Sequence, residues 1–137
     1  MKLFLDSSAI IEFMKNDGKA VEAVNAADEL YTSTVCAYEV LVGERYQYLK
    51  GKNTSYQKVF DFFKNIASLP PTLDDAKIAS DIMASLMLEG KMVDPLDTII
   101  AAQAITVDAI LLTKNQKHFR SIQKENNMLK ASYLKEE

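Results

Sequence analysis

The chain has 137 residues, 48% of them apolar and 26% charged, with a net charge of −3 and a pI of about 5.2. That balance suits one domain, residues 1–137, with a real hydrophobic core. A single cysteine (Cys36) excludes a disulfide framework or a cysteine-based zinc site, no apolar run reaches the ~18 residues of a membrane span, and the acidic balance excludes a surface broadly coated by nucleic acid.

Lys2–Leu5 reads as a short strand, and Asp6 follows it where a signal peptide would carry its apolar core, so the chain reads as cytoplasmic. Ser7 and Ser8 can cap a helix through AIIEFMKN, which Asp17-Gly18 stops. KAVEAVNAAD has apolar residues at helical spacing, and ELYTS (Glu29–Ser33) reads as a second strand. A long helix, VCAYEVLVGERYQYLK, starts after Thr34 and breaks at Gly51 and Asn53. SYQKVFDFFKNIA forms the next helix, with Tyr56, Phe60 and Phe63 on one face. Most aromatics between Glu44 and Phe63 are expected in the core of a helical hairpin.

Ala67–Leu69 is a third strand, stopped by Pro70-Pro71. Thr72 and Asp75 have the spacing of a capping box ahead of LDDAKIASDIMASLMLEG, which Gly90 ends. Pro95 sits well as the first residue of the helix LDTIIAAQAITV. AILLT (Ala109–Thr113) is an unbroken apolar run, as a central parallel strand requires. A helix near HFRSIQKEN and a strand near MLKASYL complete the chain. Strands alternating with helices predict a three-layer α/β/α sandwich with a central, mostly parallel sheet. In such sheets ligands bind beyond the carboxyl ends of the strands.

Several polar residues fall at that rim. Asp6 ends the first strand; Thr113 and Asn115 end the ILLT strand. Glu39 lies one and a half turns into the helix after the second strand, and Asp94 and Asp97 start the helix before ILLT. Each has a plainer reading. Asp6 and Asp94 are good helix caps, with Asp97 near the positive end of its helix. Asn115 suits a turn, and Glu39, among apolar neighbours, lies on a wet stripe or points into a polar pocket. Carboxylates crowded together resist ionising unless a cation joins them. Oxygen donors without a thiol or imidazole cluster select Mg²⁺ or Mn²⁺ over zinc. Such a centre can activate water against a phosphodiester.

Four stretches in order, LFLDSSAIIEF, TVCAYEVLVG, DPLDTIIAAQA and ILLTKNQKHF, resemble the blocks of the PIN domain family, and more narrowly its VapC-type toxins. The resemblance implies a PIN-like fold, Mg²⁺- or Mn²⁺-dependent endoribonuclease activity and a cognate antitoxin, and homodimers are usual in such a family. Carried over by position, Asp6, Glu39 and Asp97 resemble the first three acids. Asn115 stands where the fourth is often Asp, and Thr113 resembles the hydroxyl near the metal site, with Ser7 supporting. Asp94 is an added acid on the same helix face as Asp97 and a candidate fourth metal ligand. His118 replaces an acid common before the Phe of the last block. Lys114, Lys117, His118 and Arg120 are candidate RNA contacts. Two rivals stand beside this reading. One is a PIN-like RNA-binding or regulatory module with little nuclease activity, favoured by the uncharged Asn115. The other is a phosphoryl-transfer domain, disfavoured because Ser8 stands where a dehalogenase-like second Asp would be and because Glu39 lies on a helix, where a receiver-like domain would pair its acid with the first strand.

Overall fold

A computed structural model describes residues 1–135; the last two positions of the expected 1–137 domain lie outside the described residues. Five strands, β1 (Lys2–Leu5), β2 (Glu29–Ser33), β3 (Ala67–Leu69), β4 (Ile110–Thr113) and β5 (Lys130–Tyr133), form one sheet in the order β3-β2-β1-β4-β5. All pairings are parallel. The helices are α1 (Ser7–Met14), α2 (Gly18–Ala26), α3 (Thr34–Leu49), α4 (Tyr56–Lys64), α5 (Leu73–Leu88), α6 (Pro95–Thr106) and α7 (Gln116–Glu125).

Burial on both faces explains the central strands. Leu3, Phe4 and Leu5 of β1 and Leu111 and Leu112 of β4 are nearly inaccessible. Phe4 is level with Tyr31 of β2 on one side and Leu111 of β4 on the other. Each such side chain contributes about 1.5–3 kcal/mol by leaving water. The helices pack in two groups: α1 meets α2 and α3, and α3 meets α4; α5, α6 and α7 meet one another. Right-handed crossovers put these groups on opposite faces, because the chain runs outward from β1 through β2 to β3 and then returns past β1 to β4 and β5. The switch point therefore lies between β1 and β4.

Local chemistry fixes the element ends. Thr72 and Asp75 form the expected capping box, with the Thr72 hydroxyl accepting from Asp75 N at 3.1 Å and Asp75 Oδ2 from Thr72 N at 2.9 Å. Thr106 Oγ1 donates to the other Asp75 oxygen at 2.8 Å, tying α5 to α6. Asp17 begins α2, accepting from Ala20 N, whereas α1 stops earlier, with Asn16 in the left-handed region at φ 62°.

The aromatic expectation needs correction. On α4 the buried pair is Val59 and Phe63, four residues apart on one face. Phe62 packs on Phe13 of α1 at 5.6 Å between ring centres, and Phe60, a turn-fraction away from that face, is exposed. Tyr46 and Tyr48 of α3 are also mostly exposed. Of the aromatics between Glu44 and Phe63, Phe63 alone is buried, with Tyr56 and Phe62 half-buried.

Leu112→Ala, which removes a side chain 1% exposed in β4, should destabilise the protein by about 2–5 kcal/mol with an unchanged denaturant m-value. Met92→Ala, at a site 79% exposed, should stay within about 0.5 kcal/mol of the parent in the same urea titration.

Candidate active site

The carboxyl ends of β1 and β4 hold the acid cluster. Asp6 follows β1 and is the N-cap of α1, as its plainer reading expected, and it also lines the cavity described below. Its Oδ1 accepts from Ala9 N at 2.9 Å and from Ser8 Oγ at 2.7 Å. Its Oδ2 accepts from Thr113 Oγ1, at the end of β4. Ser8 also accepts from Lys114 N at 2.9 Å. Thr113 and Ser8 thus lock the two strand ends together around one carboxylate.

Glu39 reaches the same place from α3, whose cap is Ser33. It is half-buried and accepts from Ser7 Oγ at 2.7 Å. It points into a polar pocket, as one of its two sequence readings required. Asp94 is the N-cap of α6, accepting from Leu96 N at 3.0 Å, with Pro95 at the first helical position. Asp97 follows in the first turn. Its Oδ2 lies 3.1 Å from Asn115 Nδ2 and 2.8 Å from His118 Nδ1. Asn115 occupies the N-cap position of α7, but its side chain makes no capping bond.

These residues surround one cavity of about 200 Å³, lined by Asp6, Ser7, Ser8, Glu39, Asp94, Asp97, Ile100, Asn115 and His118. The amino ends of α1, α6 and α7 all converge there, and their partial positive charge offsets the acids. Thr113 lies behind the cavity, fully buried. Of the candidate RNA contacts, only His118 lines it. Lys114 pairs with Glu12 at 2.7 Å, Lys117 is exposed, and the Arg120 guanidinium stacks over Tyr133. Ser8 was legible only as a cap; its bridge between the strands depends on β1 and β4 being neighbours, which spacing does not reveal. Ile100, the apolar wall, left no signal beyond its place in a buried run.

Electrostatics follow from burial. Asp6 is 5% exposed, and burial raises its pKa above the usual range, with Glu39's charge adding; hydrogen bonds from Thr113, Ser8 and Ala9 N oppose the shift. Burial pushes Asp97 up to about 6, and the charges of Asp94 and Asp6 add while His118 opposes. Behind Asp6, Cys36 is fully buried, and burial with Asp6's charge pushes its thiol up to about 12. Among the described residues, no three His, Cys, Asp or Glu side chains stand close enough to hold a metal ion. The acids share a cavity but keep apart, each on its own hydrogen-bond donors, as like charges do.

The PIN domain family model matches residues 3–125. The chain belongs to that family. Ribonuclease VapC19 of Mycobacterium tuberculosis (strain ATCC 25618 / H37Rv) is 29% identical over 123 residues, covering 87% of this PIN chain and 92% of that protein. Two solved structures share the fold. A chain of VapBC2 from Rickettsia felis, bound to a DNA fragment from its promoter, gives a TM-score of 0.79 at 18% identity, covering 98% of this chain and 99% of that one. VapBC-1 from nontypeable Haemophilus influenzae gives 0.76 at 24% identity, covering 97% and 98%.

The raised Asp97 pKa sets a pH dependence. Between its ordinary value of 3.8 and about 6, the folded protein binds more protons than the unfolded chain, so metal-free stability falls as pH rises through that window. Asp6 is raised in the same direction. Urea unfolding in chelator should show Asp97→Asn gaining on the parent at pH 7 relative to pH 4; an equal difference at both pH values would contradict the raised pKa.

Proposed function

We propose that this PIN chain is a Mg²⁺- or Mn²⁺-dependent endoribonuclease, the toxin of a VapBC-type toxin–antitoxin pair. One observation carries the reading: Asp6, Glu39, Asp94, Asp97 and Asn115, from distant parts of the sequence, line one cavity at the sheet's switch point. The likeness to Ribonuclease VapC19 and to VapBC complexes supports both the activity and the antitoxin partner.

The donors fit a hard cation. They are carboxylate and amide oxygens, without a thiol facing the cavity and with one imidazole. Burial raises the pKa of both Asp6 and Asp97, and a cation in the cavity would favour their ionised forms. Asp6, Glu39 and Asp97, which stand too far apart here to hold an ion together, would have to draw in on it, with Asp94 a fourth candidate beside its capping role. When bound, the ion supplies acidified water and a counter-charge for phosphodiester oxygens. Ser7, Ser8 and Thr113 keep the carboxylates oriented, and the amino ends of α1, α6 and α7 favour an anionic backbone at the rim. Lys117 on α7, with Lys114, His118 and Arg120 around it, supplies a local basic edge for RNA within an acidic protein.

The same reading supplies protein partners. An open, apolar groove of about 470 Å³ lies along α3 and α4, lined by Tyr38, Leu41, Val42, Arg45, Tyr46, Leu49 and Tyr56. Exposed apolar surface of this kind suits the amphipathic segment of an antitoxin. A second copy of the chain forms a homodimer with its own site beside the first.

A PIN-like RNA-binding module without cleavage is the second reading, favoured by the neutral Asn115 and by the separated acids. Cleavage of RNA in the presence of Mn²⁺ decides between them. The parent should cleave, chelator should abolish cleavage, and Asp6→Asn or Asp97→Asn should lower the rate by about 100-fold or more; RNA binding without cleavage would establish the module. Comparing Mn²⁺ affinity in Asp94→Asn and Asp97→Asn tests Asp94: an effect confined to Asp97→Asn makes Asp94 a cap alone.

A further inference from the structure

Asn115 and His118 break local rules in the same direction. Asn115 stands at a helix cap without capping, and its amide turns to Asp97 Oδ2 at 3.1 Å. His118, one turn further along α7, places Nδ1 2.8 Å from the same oxygen, and the two nitrogens are 3.0 Å apart. A carboxylate only accepts hydrogen bonds, so Nδ1 carries the hydrogen toward Asp97. Asp97 Oδ1 takes no hydrogen bond among the described residues. Glu39 follows the same plan: Ser7 holds Oε1, and Oε2 takes none among the described residues.

We infer that His118 is a positioning residue: its imidazole clamps one oxygen of Asp97 so that the other is presented to a divalent cation in the cavity. This rests on the metal-dependent reading above. Two donors three residues apart on one helix face fix a carboxylate rotamer more firmly than one amide does. Hydrogen bonds behind a ligating carboxylate orient it, and their loss typically costs about 10–100-fold in metal affinity.

The test is Mn²⁺ titration of the full chain after metal stripping, followed by calorimetry and by the electron paramagnetic signal of free Mn²⁺. The variants are His118→Ala, His118→Asn and Asp97→Asn, each melted in chelator to confirm folding. Asparagine places an amide nitrogen where Nδ1 lies, so it restores the donor without the ring. His118→Ala should weaken Mn²⁺ binding by about tenfold or more, and His118→Asn should return it to within about twofold of the parent. Unchanged or tighter binding in His118→Ala overturns the inference, the latter by making the imidazole a competitor for Asp97. So does His118→Asn binding as weakly as His118→Ala. If the parent binds and Asp97→Asn binds equally well, Asp97 is not a ligand and the clamp has no purpose. If the parent itself binds no Mn²⁺, the metal-dependent reading fails along with it.

Discussion

Negative charge gathered where water is scarce is the constraint around which this molecule is arranged. Asp6 is almost inaccessible and Asp97 largely so, yet both share a cavity with Glu39 and Asp94. Isolated buried carboxylates are costly. Here the cost is offset by hydroxyls from Ser7, Ser8 and Thr113, by amide and imidazole donors, and by three helix amino ends aimed at one place. The sheet order makes this possible. Only a topology that puts β4 beside β1 brings Thr113 to Asp6 across more than a hundred residues of sequence.

The fold was largely readable because its signals are local. The run ILLT could only be a strand buried on both faces, Thr72 and Asp75 announced a helix start, and Asp94-Pro95 announced another. The membership of the acid cluster was readable from the rim rule together with the family resemblance. What spacing could not show was the finer arrangement: that Ser8 bridges two strands, that Asn115 abandons its cap, or that His118 touches Asp97. Those depend on which strand ends are neighbours and on side-chain rotamers, neither of which has a sequence period. The aromatic stretch from Tyr46 to Phe63 misled for a related reason. Apolar residues at helical spacing mark a face, but on α4 that face is Val59 and Phe63, so Phe60 stays exposed, as do Tyr46 and Tyr48 on α3.

Roles overlap at several positions. Asp6 closes the first turn of α1 and lines the cavity; Asp94 does the same for α6. Removing charge at either position therefore also disturbs a helix start, and asparagine, itself a good cap, separates the two effects better than alanine. Asn115 shows the opposite choice, giving up a cap for a contact across the cavity. Local consistency is relaxed where the acids meet, as expected of a functional region.

The lone thiol carries a practical consequence. Cys36 lies directly behind Asp6, sealed from solvent, with its proton held until strongly alkaline pH. An alkylating reagent needs both access and a thiolate, so it will meet this sulfur only when α3 lifts from the sheet. The speed of labelling is then a clock for openings of the inner layer, read from a native atom and needing no dye or engineered probe.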